Sequence, residues 1–384
     1  MMTICLLGAS GSIGTQTIDV MLKNPSDFSL LSFSVGHQTR KIKGIVKHFP
    51  SVKAICIQDQ KKLAYYQKAY PDITFYYGDD GLISLIENSQ AEMVVNALVG
   101  FVGLKPTIRA LELNKIVALS NKESLVVGGE IINNLLKKGQ GKLVPIDSEH
   151  VAIAKCLAVD NQDIDKVIIT ASGGAFRNLT REQLKDVTPE QALNHPNWKM
   201  GKKITIDSAT MVNKCFEIIE AHYLFGYLYE DIDIILNYNS YVHSLVHYKD
   251  ELYRFDYGKP DMRVAIKYAL YQGLTPYQTM VSDDLSKIKG TSFGAFDIKR
   301  FPIVNVAKRV IEEKGALGAI FNASNEVAVA AFLNHQISFL GIERIINDCL
   351  KQVKNMTRPS YLDLKRIDTQ TRELAHKLIL KGGY

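Results

Sequence analysis

Three carboxylates in the middle of the chain could together hold a divalent metal ion. Asp147 and Glu149 stand two residues apart at the end of an apolar run, and Glu217 lies in a later segment with helical spacing. Side chains two apart on an extended segment point to the same side, so these like charges would need a cation between them. Three oxygen ligands without His or Cys match Mg²⁺ or Mn²⁺ with positions left open for a substrate. The alternative is that Asp147 or Ser148 only caps the next helix.

The stretch 195–222 carries more candidate chemistry than any other and contains the single tryptophan, Trp198. Its pattern predicts a loop around Trp198, a short strand from Lys203 to Ile206, and an amphipathic helix from Ser208 onward. The strand and the helix must position the polar side chains of this stretch.

One face of that predicted helix is polar. Asn213, Glu217 and Glu220 share the face because residues three or four apart are neighbours on a helix, and Lys214 lies beside them. An ordinary solvated helix face has the same composition. This segment alone therefore leaves a functional site and a solvated face as open alternatives.

A glycine motif opens the chain. The apolar run Thr3–Leu7 is followed by Gly8, Gly11 and Gly14 and then by a helical pattern. In Rossmann domains such glycines let the backbone approach a pyrophosphate, which rests on the helix N-terminus. A plain tight turn is the alternative.

The residues after the second predicted strand indicate which dinucleotide would bind. NAD-binding domains usually carry an acidic residue about 20 residues after the glycines, which bonds the ribose hydroxyls. Here the strand Leu30–Val35 is followed by His37, Arg40 and Lys41, and residues 36–41 include no acid. Basic side chains favour a 2′-phosphate, so the sequence predicts NADP.

Strand-like and helix-like segments alternate through the first third of the chain. This rhythm is typical of an α/β fold with a doubly wound parallel sheet, in which ligands bind beyond the C-terminal strand ends. The predicted strands are Thr3–Leu7, Leu30–Val35, Ala54–Ile57, Met93–Ala97, Ile116–Leu119 and Leu143–Ile146. Polar residues follow three of them, at 96–100, 120–123 and 147–149.

The later chain predicts a small sheet and then helices. Ser172 begins a glycine turn that could present a hydroxyl group to an anion. The loop 172–202 is long enough to be a lid with Trp198 as its apolar cover, and a disordered connector is the alternative. Further predicted strands are Val167–Thr170, Ile232–Leu236, Val242–Tyr248 and Leu252–Tyr257. The expected divisions are a Rossmann-like domain 1–146, a connective catalytic domain 147–282, a linker 283–301 and a C-terminal helical domain 302–384.

Composition excludes several classes of function. The 384 residues carry a net charge of +6, a mild and unclustered excess that suits an anionic small molecule better than nucleic acid. No apolar run approaches the roughly 18 residues of a membrane span, and the N-terminus lacks a signal-peptide pattern, so the cytoplasm is the expected compartment. The five cysteines form no Cys-x-x-Cys pair, which disfavours a disulfide framework or a thiolate metal site.

Taken together, these motifs resemble the 1-deoxy-D-xylulose 5-phosphate reductoisomerase family of the non-mevalonate isoprenoid pathway, over nearly the whole chain. The motifs that carry the resemblance lie at 8–14, 96–103, 119–125, 145–150, 171–174, 195–200, 207–211, 213–217, 260–263 and 322–327. The resemblance implies a homodimer with an NADPH-binding domain, a connective catalytic domain and a C-terminal helical domain. It also implies rearrangement of 1-deoxy-D-xylulose 5-phosphate, a phosphorylated sugar, to an aldehyde, and reduction of that aldehyde by NADPH to 2-C-methyl-D-erythritol 4-phosphate.

The resemblance also implies roles for individual residues. The metal ion would be Mg²⁺ or Mn²⁺, with Co²⁺ as a further option, held by Asp147, Glu149 and Glu217 with Glu220 in support. The implied catalytic residues are Lys122, Asp147, Glu149, His195 and Glu217. The implied substrate-binding residues are Lys122, Ser148, Glu149, Ser172, His195, Trp198, Ser208, Asn213, Lys214 and Glu217. The implied coenzyme-binding residues are Gly8, Ser10, Gly11, Ser12, Ile13, Gly36, His37, Gln38, Asn121, Lys122, Glu123, Gly201 and Met262.

The chain departs from the family pattern at a few positions. Residues 237–240 replace the usual His-Pro-Gln-Ser, Cys215 stands where Gly normally follows Asn-Lys, Gln38 stands for Asn, and Ser120 stands for Ala. These departures fall at positions that would support the phosphate site and bind the coenzyme. Two other functions remain open at this point: a semialdehyde-type NADP dehydrogenase, which needs a reactive thiol, and a catalytically inactive NADP-binding sensor.

Overall fold

The computed structural model describes residues 1–158, 163–274 and 290–384. The described chain forms two compact units. The first unit comprises Met1–Leu125, Gly129–Asp147 and the described part of Asp261–Thr275. The second unit comprises Val126–Gly128, Ser148–Pro260 and the described part of Pro276–Tyr384.

Each unit contains one β-sheet. The strands of the first unit are β1 (Met2–Leu7), β2 (Phe28–Ser34), β3 (Ala54–Ile57), β4 (Thr74–Tyr77), β5 (Met93–Asn96), β6 (Ile116–Leu119) and β7 (Lys142–Pro145). Those of the second unit are β8 (Ile164–Ala171), β9 (Ile232–Asn237), β10 (Val242–Tyr248), β11 (Tyr253–Tyr257) and β12 (Phe293–Ala295).

The α-helices follow the same division with two exceptions: one late helix returns to the first unit, and residues Val126–Gly128 of an early helix group with the second. The helices up to the end of the first sheet are α1 (Ser12–Lys23), α2 (Ile42–His48), α3 (Leu63–Ala69), α4 (Gly78–Glu87), α5 (Leu104–Glu112) and α6 (Lys122–Lys137). The later helices are α7 (Ser148–Leu157), α8 (Pro189–Ala192), α9 (Lys202–Thr210), α10 (Val212–Phe225), α11 (Met262–Leu270), α12 (Asn305–Glu313), α13 (Leu317–Leu333), α14 (Phe339–Gln352) and α15 (Tyr361–Lys381).

The first unit is a parallel α/β sheet in the strand order β4-β3-β2-β1-β5-β6-β7. Its central strands are apolar on both faces because helices cover both sides of a doubly wound sheet. The helix α11 packs beside α1 in this unit, with Ile266, Ala269 and Leu270 in its core. The guanidinium of Arg263 bonds the carboxylate of Asp19 at 2.8 Å. The fold class predicted from the sequence is thereby confirmed.

The second unit has a mixed sheet in the order β11-β10-β8-β9-β12, in which only β8 and β9 run parallel. Helix α13 contacts α9, α12, α14 and α15. Most residues of α13 are buried, and they lie on every face of the helix, as expected for a central helix of a bundle. The predicted C-terminal helical region is thus present as α12 to α15.

Some sequence-based predictions of single elements were wrong or incomplete. The predicted strand from Lys203 to Ile206 is the first part of α9, whose residues Thr205 and Ile206 are buried by packing. Packing overrides the weak β-propensity of a Lys-Ile-Thr-Ile run. Strand β4 was not predicted, and β12 lies within the expected linker 283–301, whose first residues are outside the described part of the chain. The division into four segments stays a prediction, although residues 261–274 group with the first unit.

Among the described residues, no helix is long and apolar enough to cross a membrane.

Candidate active site

The glycine turn after β1 leaves room only for backbone. Gly8 has φ +82°, and a Cβ added there would lie 2.6 Å from the carbonyl oxygen of Ala97. A Cβ on Gly14 would lie 2.2 Å from the carbonyl oxygen of Gly8. The following helix α1 has no acidic residue in its first turn and no side-chain cap at Gly11. Its N-terminal amides and positive dipole end are therefore suited to a pyrophosphate, and the turn fits a dinucleotide.

A basic group lies beside this turn, after β2. The Lys41 ammonium donates to the carbonyl oxygen of Ser10 at 2.7 Å, and the Ser10 hydroxyl donates to the carbonyl oxygen of Val35 at 2.9 Å. The side chains of His37, Gln38 and Arg40 are exposed there, and Gly36 has φ +52°. Lys41 places positive charge beside Ser10, where a phosphorylated ribose would need it.

A buried asparagine organises the N-terminus of α6 in the first unit. The Asn121 amide donates to the carbonyl oxygens of Leu98 at 3.1 Å and Gly100 at 3.0 Å, and its Oδ1 accepts from the backbone N–H of Ser124. The next residue, Lys122, places its ammonium 2.5 Å from Oδ2 of Asp147. The predicted coenzyme residues Asn121 and Glu123 thus flank a predicted catalytic lysine, and all three side chains are buried.

In the second unit, two of the predicted metal ligands converge on one cation. The ammonium of Lys214 lies 2.8 Å from Glu149 Oε1 and also bonds Glu217 Oε2. Oxygens of the two carboxylates lie within 4.8 Å of each other. Glu217 is only 1% exposed, so its charge needs a partner at close range. The ammonium marks a position at which a cation binds both carboxylates, and the residues therefore fit a divalent metal ion.

The ammonium of Lys214 is charged in this setting. Burial opposes the charge, but the carboxylates of Glu149 and Glu217 outweigh it and raise the pKa of Lys214. A third bond runs from this ammonium to the carbonyl oxygen of Thr170 at 2.8 Å, at the end of β8. Lys214 is thus positioned by three acceptors from three different elements.

The geometry behind Asp147 and Glu149 differs from the extended segment expected from the sequence. Strand β7 ends at Pro145, and helix α7 begins at Ser148, so Glu149 lies in the first helical turn. The Ser148 hydroxyl donates to Glu149 Oε2 at 2.7 Å. The prediction that Asp147 and Glu149 point to one side of an extended segment was therefore wrong. Asp147 belongs to the first unit but is joined directly to Ser148 by the chain.

Helix α10 carries the predicted polar face, and a histidine supports it. The Asn213 amide donates to Glu217 Oε1. A ring nitrogen of His150 lies 2.9 Å from the carbonyl oxygen of Glu217, and its other nitrogen lies 3.5 Å from Glu220 Oε2. Sequence reasoning did not single out His150. The sequence signal for His150 was its place directly after the predicted ligand Glu149. In the structure its imidazole is buried in the same helical turn.

The loop after β8 brings Ser172 and His195 together. A ring nitrogen of His195, Nδ1, accepts from the backbone N–H groups of Asn197 at 3.1 Å and Trp198 at 2.9 Å. The other nitrogen, Nε2, must then carry the proton and donate to the Ser172 hydroxyl oxygen at 3.0 Å. The backbone N–H of Gly174 donates to that oxygen as well, at 3.1 Å.

These two bonds determine what Ser172 can offer. Its oxygen accepts two hydrogen bonds, so its own O–H can act as the donor to an anion. His195 is neutral, because burial first, and the nearby charges of Arg177 and Lys214 next, lower its pKa to about 4. It contributes an oriented N–H rather than a positive charge.

Trp198 lies at the far part of this loop and is half-buried. Its indole ring is 6.3 Å from the ring of His243. The neighbouring Asn197 amide donates to the carbonyl oxygen of Tyr238 at 2.9 Å and to the Ser240 hydroxyl at 2.7 Å. The turn at 237–240 therefore holds the part of the loop that carries the tryptophan.

The helices α9 and α10 meet at a left-handed residue. Met211 has φ +65° and is 2% exposed, which is uncommon for a residue with a side chain. A Cβ on Gly174 would lie 2.7 Å from the carbonyl oxygen of Ser208, so the turn after β8 packs directly on α9. These contacts place Ser208 beside the Ser172 turn in the second unit.

The predicted site residues thus fall into two groups. The first unit holds Gly8, Ser10, Gly11, Ser12, Ile13, Gly36, His37, Gln38, Asn121, Lys122, Glu123, Asp147 and Met262. The second unit holds Ser148, Glu149, Ser172, His195, Trp198, Gly201, Ser208, Asn213, Lys214, Glu217 and Glu220. Gly201 is exposed at the N-cap of α9, and Met262 packs on the core of the first unit.

Comparison with known proteins shows which family the chain belongs to. Residues 4–129 match the model of 1-deoxy-D-xylulose 5-phosphate reductoisomerase, residues 143–225 match its C-terminal domain, and residues 257–374 match the DXP reductoisomerase C-terminal domain. A protein named 1-deoxy-D-xylulose 5-phosphate reductoisomerase 2 from Bacillus thuringiensis subsp. konkukian (strain 97-27) is 42% identical over 381 residues, covering 99% of this chain and 100% of the relative. The chain belongs to the 1-deoxy-D-xylulose 5-phosphate reductoisomerase family.

Other members of the family give the same result. The enzyme of Geobacillus kaustophilus (strain HTA426) is 43% identical over 379 residues, covering 98% of this chain and 99% of the relative. A crystal structure of DOX-P reductoisomerase with NADPH, fosmidomycin and magnesium aligns with TM-score 0.91 and 31% identity over 100% of both chains. The Zymomonas mobilis enzyme in complex with NADPH aligns with TM-score 0.90 and 35% identity, covering 98% of this chain and 99% of that one.

Two of the departures from the reductoisomerase family pattern have local structural explanations. The buried Asn237 amide donates to the Thr291 hydroxyl at 2.6 Å, and its oxygen accepts from the backbone N–H of Val242 at 3.1 Å. Asn237 therefore fixes the start of the turn at 237–240. The Cys215 thiol lies 3.1 Å from the carbonyl oxygen of Ile303 and fills a fully buried position.

The thiols do not support the semialdehyde dehydrogenase alternative. All five cysteines are free and buried. Burial raises the pKa of Cys5 and Cys156 to about 11, and of Cys56 and Cys349 to about 12. Burial likewise raises the pKa of Cys215. A nucleophilic cysteine needs a lowered pKa and an accessible sulfur. The buried thiols therefore do not suit a semialdehyde dehydrogenase, which agrees with the family assignment.

Proposed function

We propose that this reductoisomerase family member converts 1-deoxy-D-xylulose 5-phosphate to 2-C-methyl-D-erythritol 4-phosphate with a divalent metal site of Asp147, Glu149 and Glu217. The protein is an NADPH-dependent oxidoreductase and isomerase by its family. The observation that carries the residue assignment is the convergence of Glu149 and Glu217 on the single cation of Lys214. Substrate-dependent oxidation of NADPH, measured with and without added Mg²⁺, tests the proposal.

The metal ligands have the chemistry for Mg²⁺, and Mn²⁺ or Co²⁺ would be alternatives. Asp147 is two residues before Glu149 in the chain, so a third carboxylate is tethered close to the pair. A bound divalent cation would polarise the ketone and the adjacent hydroxyl of the substrate. His150 contributes by holding the backbone of Glu217, and Ser148 by holding the carboxylate of Glu149.

The substrate phosphate is proposed to bind at Ser172, Ser208, Asn213 and Lys214. Ser172 offers an O–H donor because two N–H groups already occupy its oxygen. When a metal ion takes the place of the Lys214 ammonium on Glu149 and Glu217, that ammonium is free to supply the positive charge, and charge-assisted bonds to phosphate are the strong ones. Neutral His195 keeps Ser172 in this orientation, which is its proposed contribution to catalysis.

The coenzyme is proposed to lie on the turn 8–14, with the 2′-phosphate of its adenosine ribose near His37, Gln38, Arg40 and Lys41. NADPH supplies the hydride that reduces the aldehyde. Lys122 is proposed to contact the substrate hydroxyls, because its ammonium is held next to the carboxylate of Asp147. Asn121 and Glu123 fix the helix end on which Lys122 stands.

The basic side chains after β2 predict a strong coenzyme preference. We expect kcat/KM with NADPH to exceed that with NADH by at least about tenfold, because charge-assisted phosphate contacts contribute about 1.5–3 kcal/mol. Arg40→Ala should lower this preference. The matched control Lys43→Ala changes an exposed lysine in the next helix and should leave it unchanged. Equal kcat/KM for both coenzymes in the wild type would contradict the assignment.

Part of the loop 172–202 is proposed to act as a lid over the substrate. Its first half is tied down, since Arg181 bonds both carboxylate oxygens of Glu343 at 2.7 and 3.2 Å. The segment with His195 and Trp198 is held to the turn at 237–240 by neutral hydrogen bonds of the Asn197 amide, which are weaker than a bidentate ion pair. We therefore assign closure to the half of the loop after α8.

Trp198→Ala tests the lid. We expect weaker substrate binding and slower turnover with little change in melting temperature or NADPH affinity, because a lid residue packs on ligand rather than on the core. Trp198→Phe should retain much of the wild-type behaviour. Fluorescence of the single tryptophan should change when substrate binds. An unchanged spectrum, combined with a large loss of stability in Trp198→Ala, would place this side chain in a permanent core instead.

Assembly and location complete the proposal. A homodimer is the proposed assembly, and sedimentation analysis of the purified protein measures it. Five free, buried thiols suit a reducing compartment, which supports the cytoplasm as the proposed location.

A further inference from the structure

The helix α9, which carries the proposed phosphate ligand Ser208, is tied to α13 by a buried polar contact. The amide of Asn325 donates to Asp207 Oδ1 at 2.8 Å across 118 residues of chain. The other carboxylate oxygen of Asp207 lies 3.0 Å from the ammonium of Lys203. Asp207 is 1% exposed, and Asn325 is fully buried. The carboxylate thus contacts both a charged and a neutral group.

The position of Asp207 connects this contact to the phosphate site. Consecutive helical residues point in directions about 100° apart, so Asp207 faces α13 while Ser208 faces a different side. The turn after β8 rests on the backbone of Ser208, where a Cβ on Gly174 would lie 2.7 Å from its carbonyl oxygen. Helix α9 is therefore held between the Ser172 turn on one side and Asn325 on the other.

The position of Ser208 is sensitive to the contact between Asp207 and Asn325, because α9 ends soon after Ser208. Helix α9 ends at Thr210, and Met211 adopts the left-handed conformation before α10 begins with Val212. Helix α10 has its own contact with α13, where the rings of Phe216 and Phe321 lie 5.0 Å apart. Both helices of the proposed phosphate site, α9 and α10, therefore pack against α13.

From these contacts we infer that Asn325 is a positioning residue for the substrate phosphate: through Asp207 it fixes α9 so that the hydroxyl of Ser208 meets the phosphate. The inference rests on the proposed function and adds α13 to the substrate site. Asn325 touches no reacting group. Binding groups must be held within about 0.5 Å to be effective, so a loosened α9 should lose phosphate affinity first.

The test compares Asn325→Ala with a matched control on the same helix. Asn322 is also a fully buried asparagine of α13, but its amide donates to Glu326 Oε1 at 2.9 Å rather than to α9. We expect Asn325→Ala to raise KM for deoxyxylulose phosphate about tenfold, with kcat and the KM for NADPH within about twofold of wild type. Asn322→Ala should leave all three parameters near wild type, whatever it does to the melting temperature.

Two further variants separate positioning from a general loss of stability. Asp207→Asn keeps an oxygen acceptor for the Asn325 amide but loses the ion pair with Lys203, so its substrate KM should rise less than that of Asn325→Ala. Asn325→Asp sets two carboxylates against each other and should raise KM more than Asn325→Ala. An Asn325→Ala enzyme with unchanged substrate KM, or with substrate KM, NADPH KM and kcat all altered to the same degree as in Asn322→Ala, would overturn the inference. Absence of wild-type turnover would instead refute the proposed function itself.

Discussion

Glu217→Gln should lower kcat/KM by about a thousandfold at limiting Mg²⁺, the largest effect expected from any single change in the site. Loss of an outer hydrogen-bond partner of a metal ligand costs about 10- to 100-fold, and this change removes a proposed ligand itself. It also removes one of the two carboxylates that bond the Lys214 ammonium. The measurement is steady-state NADPH oxidation over a titration of Mg²⁺.

Glu220→Gln is the matched comparison for this prediction. Glu220 lies one turn further along α10, is equally buried, and contacts His150 instead of Lys214. Glu220→Gln should lower kcat/KM less than Glu217→Gln does, by about tenfold. Binding of Mn²⁺, measured directly by magnetic resonance, should weaken strongly in Glu217→Gln and only slightly in Glu220→Gln. Full activity of Glu217→Gln at limiting metal, or of the wild type after exhaustive chelation, would rule out the proposed metal site.

Lys214→Ala is expected to have the second largest effect. It removes the one buried cation of the proposed phosphate site, and a charge-assisted contact of this kind contributes about 1.5–3 kcal/mol, or roughly 10- to 100-fold in kcat/KM. The loss should fall on the phosphorylated substrate. Discrimination between deoxyxylulose phosphate and its dephosphorylated analogue should therefore decrease in the variant.

The control for Lys214→Ala is Lys202→Ala, which removes an exposed lysine at the start of α9. That variant should discriminate like the wild type. Removing Lys214 also leaves Glu149 and Glu217 without their shared ammonium, so its melting temperature must be measured beside its kinetics. If Lys214→Ala and wild type discriminate equally between the two substrates, Lys214 does not bind the phosphate.

The residue pattern of short segments was sufficient to predict much of the secondary structure of the first unit. Strands β3 and β6 begin and end where the sequence places them, because each is a short apolar run between turn residues. The shared face of Asn213 and Glu217 on α10 could also be predicted, since the two are four residues apart and do bond each other. Its burial could not be predicted, because a solvated face has the same spacing. In these cases the deciding interactions are close in sequence.

The remaining features depend on contacts that are distant in the chain. Lys203 to Ile206 has strand-like residues, yet its burial beside α13 makes it helical. The main-chain carbonyl of Thr170 that accepts from Lys214 has no signature in side-chain type. The Asp207 contact with Asn325 joins residues too far apart for any spacing argument. Only the folded chain brings such groups together.

The central claim is that this chain rearranges and reduces deoxyxylulose phosphate, and product analysis with labelled coenzyme tests it most directly. The protein is incubated with Mg²⁺, deoxyxylulose phosphate and NADPH that carries deuterium at the transferred position. The account predicts one molecule of methylerythritol phosphate for each NADPH oxidised, with one deuterium on the new primary alcohol carbon. NADPH oxidation without that product, or a product whose carbon skeleton is unchanged, would contradict it.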